Sequence, residues 1–474
     1  MSHIQFGTDG WRAVIADDFT FTNVARVAQA AADYGRLHPP AGSARRIVVG
    51  YDRRFLSDQF ARHAAEVFAG NGFEVLLTDR PTPTPAVSLA VRDHQARLGV
   101  VITASHNPPH YNGLKLKGHY GGPAGPQLCQ KVEALLDTNP IRRIPLAEAI
   151  RDRIVTTADV IPRHLDCVRR YVHWPTIARS GLRLAHDALY GVGADCFNLL
   201  LADTNCQLTL LNGRHDALFG GLNPEPVPAN YAPTAQWLRH HPHDLCLVTD
   251  GDADRIGAMD GLGWPLSSHQ IICLLLRHLY VNRMARGRVI KALNTTAMLD
   301  RMCEDYGLQL IETHVGFKSI CEEMLRGGVL LGGEESGSVG FQDHIPERDG
   351  ILAGLLLVEM LAVERRPLRA LLRSLERRYG PHRYARLDIA FPLERRPALL
   401  EHCRLQPPPR LLGSPVERVV SFDGVKYEAR NHAWLMVRGS GTEPVVRIYA
   451  EAATDEGARR LLNLGKRLLG RVPK

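Results

Sequence analysis

Leu98-Gly99-Val100-Val101-Ile102-Thr103-Ala104-Ser105-His106-Asn107-Pro108-Pro109 is a short apolar run that ends abruptly in a polar turn. The run reads as a buried strand. Pro108 and Pro109 bar a helix from starting after it and predict an extended, exposed loop. Ser105 then stands at the mouth of a sheet with a histidine beside it. Ile47-Val48-Val49-Gly50, Leu245 to Thr249 and Val289-Ile290 are further runs of this kind, separated by longer amphipathic stretches. The alternation predicts α/β domains with mostly parallel sheets. In such sheets ligands bind beyond the carboxyl ends of the strands, so the loops there are where chemistry is expected.

A chain of 474 residues is too long for one core and implies roughly two to four domains. The last hundred residues change character. Gly380-Pro381 follows a helix-like segment, Pro407-Pro408-Pro409 interrupts the pattern, and strands appear around Val419 and from Val445 to Tyr449. The expected domains are 1–148, 149–262 and 263–379, all α/β, then a smaller α+β domain over 380–474.

Composition narrows the function. A hydrophobic share of 45% is that of a soluble globular chain. The 58 Lys+Arg against 50 Asp+Glu leave a net +8, but the basic residues come as scattered pairs such as Arg45-Arg46, Arg142-Arg143 and Arg395-Arg396. Such a charge would suit nucleic acid, an acidic membrane or a small anionic substrate; the lack of aromatic interleaving and of basic runs argues against nucleic acid. The nine cysteines form no C-x-x-C pair and read as buried thiols of a reducing compartment. The N-terminus shows no secretory pattern, and the longest apolar segment, Ile351 to Val363, is broken by Glu359 and too short for a bilayer. The expectation is a cytoplasmic protein, without nucleic-acid or membrane partners, as a monomer or small homo-oligomer.

Several loops carry candidate chemistry, some with a plainer reading beside them. Ser105 before Asn-Pro also reads as a turn serine bonded to its own backbone, and the glycines of an acyl-transfer elbow are missing. Tyr111-Asn112-Gly113-Leu114-Lys115 reads as a tight turn at Asn-Gly that returns Lys115 toward the same loop. Lys115 could stabilise negative charge, or exchange a proton if crowding lowered its pKa; taken alone it reads as a solvated surface lysine.

Asp250, Asp252 and Asp254, spaced by the small Gly251 and Ala253, can converge on one hard cation, and a phosphoryl oxygen is the natural further ligand for Mg²⁺. An EF-hand is excluded because Arg255 and Gly261 stand where its glycine and closing glutamate belong. The plainer reading is an acidic turn in water. Glu334 and Ser336, within Gly333-Glu334-Glu335-Ser336-Gly337, can pair with vicinal sugar hydroxyls, and the loop Glu312 to Lys318 could join them. Arg438-Gly439-Ser440-Gly441-Thr442-Glu443-Pro444, followed by Arg447, has the small residues, hydroxyls and arginines of an anion nest without the spacing of a nucleotide P-loop.

Taken in order with Phe6-Gly7-Thr8-Asp9-Gly10-Trp11-Arg12, these stretches resemble the successive motifs of the α-D-phosphohexomutases, the family of phosphoglucomutase and phosphomannomutase. The resemblance covers nearly the whole chain. It implies three similar mixed α/β domains and a smaller C-terminal α+β domain around a central active-site cleft. It implies a phosphorylated Ser105, with Asp250, Asp252 and Asp254 holding Mg²⁺ against that phosphate. Arg12 and Lys115 would flank the transferring group, supported by His106 and Arg255. Lys291 with Thr313, His314, Val315 and Gly316 would help position the sugar, and Glu334 and Ser336 would hold its hydroxyls. Arg438, Ser440, Gly441, Thr442 and Arg447 would grip the phosphate that is not reacting.

The implied reaction interconverts hexose 1-phosphate and hexose 6-phosphate through a hexose 1,6-bisphosphate that turns end for end. Some relatives carry a histidine at the end of the sugar loop, where this chain has Ser338, so the general base is left open among solvent, His106 and His314. The Glu-Glu-Ser form of the loop favours glucose. Phosphomannomutase, a dual-specificity enzyme and phosphoglucosamine mutase are the alternatives. A non-catalytic sugar-phosphate binder would be expected to have lost Ser105 or an aspartate, and none is lost.

Overall fold

In the computed structural model, which describes residues 4–7, 9–440 and 444–470, the apolar runs are strands. One sheet contains β1 (Trp11–Val14), β2 (Ala44–Tyr51), β3 (Glu74–Thr78), β4 (Ala96–Ile102) and β5 (Tyr111–Gly118), in the order β1-β5-β4-β2-β3, with Val155–Ala158 beyond β3. β2 runs parallel to β3 and β4, whereas β5 is antiparallel to both β4 and β1. Alternation of side chains builds two cores. Ile47, Val49, Val100 and Ile102 pack with α1 (Phe21–Leu37) and α2 (Ser57–Gly70), while Val48 and Val101 pack with α3 (Thr84–Asp93) on the other face. A strand covered on both sides has no polar face to show, which is why these runs read as continuously apolar.

The Asn112-Gly113 pair is not a turn. Both residues lie in β5, paired with Ala13 and Arg12 of β1. Glycine is needed there for closeness: an added Cβ would lie 2.6 Å from the Thr103 carbonyl oxygen and 2.7 Å from that of Trp11. The turn reading failed because the crowding that demands glycine here comes from neighbouring backbone rather than from a turn.

The chain forms two compact units, residues 1–287 with 316–368 and residues 288–315 with 369–474. In the first unit a second sheet has Leu245–Thr249 between Ile256–Asp260, antiparallel, and Arg183–Asp187, parallel. That strand spans the residues expected of it, lies at the centre of the sheet and delivers Asp250 to its carboxyl end. The hairpin Val329–Gly333 and Val339–Phe341 carries the Glu334–Ser338 loop. Helix Gly350–Glu364 is buried from Gly350 to Ala362 and starts at Asp349, whose side chain accepts from the backbone of Ile351 and Leu352. Glu359, which interrupts its apolar sequence, accepts from His173 N at 3.2 Å and lies 3.4 Å from His278 and 3.8 Å from Arg283. Among the described residues no helix is long and apolar enough to cross a membrane.

In the second unit, Arg288–Ala292 pairs in parallel with Leu310–Thr313. A six-stranded sheet runs in the order Arg383–Ala390, Val445–Ala452, Trp434–Gly439, Val425–Ala429, Ser414–Val420, Arg410–Leu411, with every pair antiparallel. Helices Arg396–Leu405 and Asp455–Leu469 cover one face through Leu399, Cys403, Leu461 and Leu468.

A buried base in the second sheet makes stability depend on pH. His186 is fully buried, with Nε2 3.0 Å from Thr249 Oγ1, and burial pushes its imidazole down to about 3. The unfolded chain takes up a proton at this ring near pH ~6.5, whereas the folded chain stays neutral. This contribution is complete above that pH and is lost as the pH falls toward about 3. His186→Gln is therefore expected to remove about 1–2 kcal/mol of the stability lost between pH 7 and pH 5. Urea unfolding of both proteins at the two pH values checks this, and an unchanged difference would refute it.

Candidate active site

Ser105 follows β4 in a left-handed backbone conformation, φ +52°, that serine rarely adopts. Its N–H donates to Thr103 Oγ1 at 2.8 Å, and its own Oγ donates to Asp250 Oδ2 at 2.9 Å. The prolines suggested an exposed loop, but Ser105 itself is completely buried, while His106 to Pro109 are half-buried and His110 is exposed. The Asp250–Arg255 segment lies over it so closely that a Cβ on Gly251 would meet the Ser105 carbonyl oxygen at 2.6 Å.

The three aspartates are fully buried, and each offers an oxygen within 4.8 Å of the others. Ala253, at φ +57°, makes the turn that directs Asp250, Asp252 and Asp254 to one point. Asp252 accepts from Thr84 Oγ1 at 2.6 Å. Burial, then the charges of Asp252 and Asp254, raise the Asp250 carboxyl well above the ordinary carboxylate range. Asp252 Oδ1 and Asp254 Oδ1 are buried and accept no hydrogen bond. Crowded carboxylates with spare buried oxygens fit a hard divalent cation, which takes oxygen ligands and offsets their repulsion.

Lys115 is the nearest cation. Its Nζ lies 2.7 Å from Oδ2 of Asp252, Asp254 and Asp9 alike. It is buried rather than solvated. Burial alone would lower its pKa, but the three carboxylates outweigh that and raise it, so Lys115 stays an ammonium and is no proton acceptor. Asp9 is held well below its ordinary range: burial opposes this, but Arg348 and then Lys115 prevail. Arg12 donates to Asn107 Oδ1 at 2.5 Å, and Arg255 Nε lies 3.9 Å from Asp250 Oδ2. His106 is pushed well below its ordinary value by burial, then by Arg255, Arg12 and Lys115, and its buried Nδ1 has no hydrogen-bond partner.

Arg348 had no local signal in the sequence. Its Nε is 2.8 Å from Asp254 Oδ2, and its Nη2 donates to Asp9. Its neighbours in Glu347-Arg348-Asp349 reach elsewhere. Glu347 accepts from buried Lys117 at 2.5 Å and from Ser88 at 3.1 Å. Asp349 Oδ2 lies 2.6 Å from His164 Nε2 and 2.8 Å from His344 Nε2. Of the three, only Asp349 carries a local signal, a capping residue type just before an apolar run, and sequence reading did not use it.

The sugar-loop candidates join this cluster. Ser336 Oγ donates to Glu334 Oε1 at 2.8 Å and lies 3.0 Å from Ser338 Oγ, and Ser338 forms an isolated β-bridge with Arg255. Gly316 precedes helix Phe317–Leu325 at φ +120°. The other candidates belong to the second unit. Lys291 is buried and paired with Asp300 and, at 3.5 Å, with Glu312. Thr313 Oγ1 lies 3.2 Å from the His314 carbonyl, and His314 is exposed beside Phe422. Val315 N and Arg438 Nε donate to the two oxygens of Asp423, at 2.7 and 2.8 Å. Sequence reading missed Asp423. Ser440 is buried with its N–H on the Val445 carbonyl, and Arg447 Nε lies 3.4 Å from Asp388. Gly441 and Thr442 lie outside the described residues.

Four segments match the phosphoglucomutase/phosphomannomutase domains: α/β/α domain I over 3–142, α/β/α domain II over 162–263, α/β/α domain III over 267–379 and the C-terminal domain over 403–463. The crystal structure of a protein assigned as a phosphomannomutase from Thermus thermophilus is 36% identical, with a TM-score of 0.86, over 99% of this chain and 100% of that one. A phosphoglucomutase of Komagataeibacter xylinus is 29% identical over 95% of this chain and 87% of its own. A phosphoglucosamine mutase of Halorhodospira halophila is 28% identical over 96% and 94%. The chain belongs to the α-D-phosphohexomutase family. It is an enzyme, a phosphohexomutase.

Lys115→Met would leave the buried carboxylates of Asp252 and Asp254, and the partly buried one of Asp9, without their common ammonium. We expect a loss of ~3–5 kcal/mol in chelator. Added divalent cation should restore more of the melting midpoint in the variant than in the native chain. Thermal unfolding with and without cation tests this, and equal midpoints in chelator would contradict it.

Proposed function

We propose that the chain interconverts glucose 1-phosphate and glucose 6-phosphate, with phosphate carried on Ser105 and hexose 1,6-bisphosphate as intermediate and activator. The carrying observation is the Ser105 hydroxyl, 2.9 Å from Asp250 in a buried acidic cluster walled by cations. Asp250, Asp252 and Asp254, with the phosphoserine, would hold Mg²⁺, which when bound supplies charge neutralisation at the phosphoryl oxygens.

The charges favour this reading. Asp9, Asp250, Asp252 and Asp254 face Lys115, Arg12, Arg255 and Arg348, so the eight groups balance when ionised. A divalent cation and a phosphoserine dianion together keep that balance. Lys115 and Arg12 flank the transferring group, and Arg255 supports it; phosphoryl transfer needs positioning and neutralisation more than covalent chemistry. The Oγ–P bond of Ser105 breaks as the sugar hydroxyl oxygen bonds to phosphorus. We assign the hydroxyl's proton to His106, a neutral imidazole with an unpartnered Nδ1. The reverse transfer, after the bisphosphate turns, regenerates phosphoserine.

Glu334 and Ser336 are the hydroxyl-binding pair, with Lys291, Thr313, His314, Val315 and Gly316 contributing to sugar placement. Arg438, Ser440, Gly441, Thr442 and Arg447 take the other phosphate. Glucose is favoured by the Glu334-Glu335-Ser336 form of the loop. A second reading, glucosamine phosphate, is favoured by relatives named as phosphoglucosamine mutases. The nine free thiols suit a reducing compartment, and we infer a cytoplasmic location.

A coupled assay on glucose 1-phosphate with catalytic glucose 1,6-bisphosphate should show turnover that Ser105→Ala abolishes, and intact mass should show one phosphoryl group on the native chain alone. Specificity constants for the 1-phosphates of glucose, mannose and glucosamine rank the sugars. Mutase turnover by a Ser105→Ala protein would overturn the proposal.

A further inference from the structure

The loop that carries Ser105 satisfies its own backbone only in part: Asn107 N donates to the Ala104 carbonyl and Tyr111 N to the Pro108 carbonyl, each at 3.0 Å. Pro108 and Pro109 have no N–H, so the remaining carbonyls of this half-buried turn need a donor from outside. Arg54 supplies it. Its Nη1 donates to the carbonyls of Pro108 at 2.8 Å and Tyr111 at 2.9 Å, and its Nη2 to those of Ser105 at 2.7 Å and Asn107 at 2.6 Å. Only a guanidinium presents enough N–H groups in a fixed fan to serve four acceptors. The side chain is fully buried, and its guanidinium lies 5.0 Å from the ring centroid of Phe219.

Arg54 is itself held. Asp52 Oδ2 is 3.2 Å from Arg54 Nε, and Asp52 Oδ1 accepts from Arg54 N at 2.9 Å and from Ser57 Oγ at 2.8 Å. Asp52 Oδ2 also accepts from Thr103 Oγ1 at 2.6 Å, the hydroxyl that receives the Ser105 N–H. Both backbone groups of Ser105 are thus tied to one carboxylate, the N–H through Thr103 and the carbonyl through Arg54. A non-glycine residue at φ +52° costs on the order of 1–3 kcal/mol and persists only where its surroundings fix it. The conformation fixed here aims Oγ at Asp250.

We propose that Arg54, locked by Asp52, is the positioning residue of the phosphoryl carrier: it holds the strained Ser105 backbone so that Oγ faces the acidic cluster, and touches neither sugar nor phosphate. The inference rests on Ser105 being the carrier. A lysine at this position cannot span four carbonyls, and an asparagine at 52 loosens the lock while keeping an acceptor.

The test is rapid-quench transfer from phosphorylated enzyme to glucose 1-phosphate in Arg54→Lys and Asp52→Asn, expressed per folded site from circular dichroism and melting. Arg54→Lys should lower the single-turnover rate and kcat on the order of 100-fold, the cost of misplacing a reacting group by about an ångström. KM should stay within roughly twofold. Asp52→Asn should lower the rate less, again without moving KM. A merely structural role would lower the melting midpoint and the folded fraction but leave the rate per folded site intact, and that result overturns the inference. Wild-type rates in both variants, with Ser105→Ala inactive, sink the inference alone. Full turnover by Ser105→Ala would sink the carrier reading and this inference together.

Discussion

Buried like charges repel, and the first unit concentrates them. Asp250, Asp252 and Asp254 stand at the end of one strand, with oxygens within 4.8 Å of each other and no water-exposed surface. An arrangement of this kind persists only if cations are brought to it from elsewhere in the chain. Lys115 arrives from β5, Arg12 from β1, Arg255 from the same loop and Arg348 from the residues before helix Gly350–Glu364. Much of the surrounding architecture answers this requirement, from the mixed strand directions of the first sheet to the buried Glu347-Arg348-Asp349 run.

The same concentration of charge suits phosphoryl chemistry. A phosphate dianion entering this cluster would meet positive groups already in place, their orientation fixed in advance by the carboxylates that hold them. His106 is the exception among the basic groups. Kept uncharged by burial and by its cationic neighbours, it remains able to accept a proton.

What could be read from sequence followed from whether a cue was local. Leu245–Thr249 and the cores of β2 and β4 were legible because strands buried on both faces are continuously apolar. The Asp-x-Asp-x-Asp spacing and Ser105 were legible because each motif lies within a few residues. Gly113 was misread because the carbonyls that exclude a side chain belong to Trp11 and Thr103, remote in sequence from it or joined to it only by the sheet. Arg348 was invisible because its partners, Asp9 and Asp254, are distant in the chain. The burial of Ser105 was misjudged because the Asp250–Arg255 segment, and not its own prolines, decides its exposure.

Asp423 gives one oxygen to the backbone of Val315 and the other to Arg438. A single carboxylate therefore ties the loop proposed to help place the sugar to the arginine proposed to hold the phosphate that is not reacting. Drift in one drags the other with it. On that proposal, remodelling residues 313–315 for another hexose would also disturb Arg438 through Asp423, so new preferences at this loop would emerge through paired changes rather than one at a time.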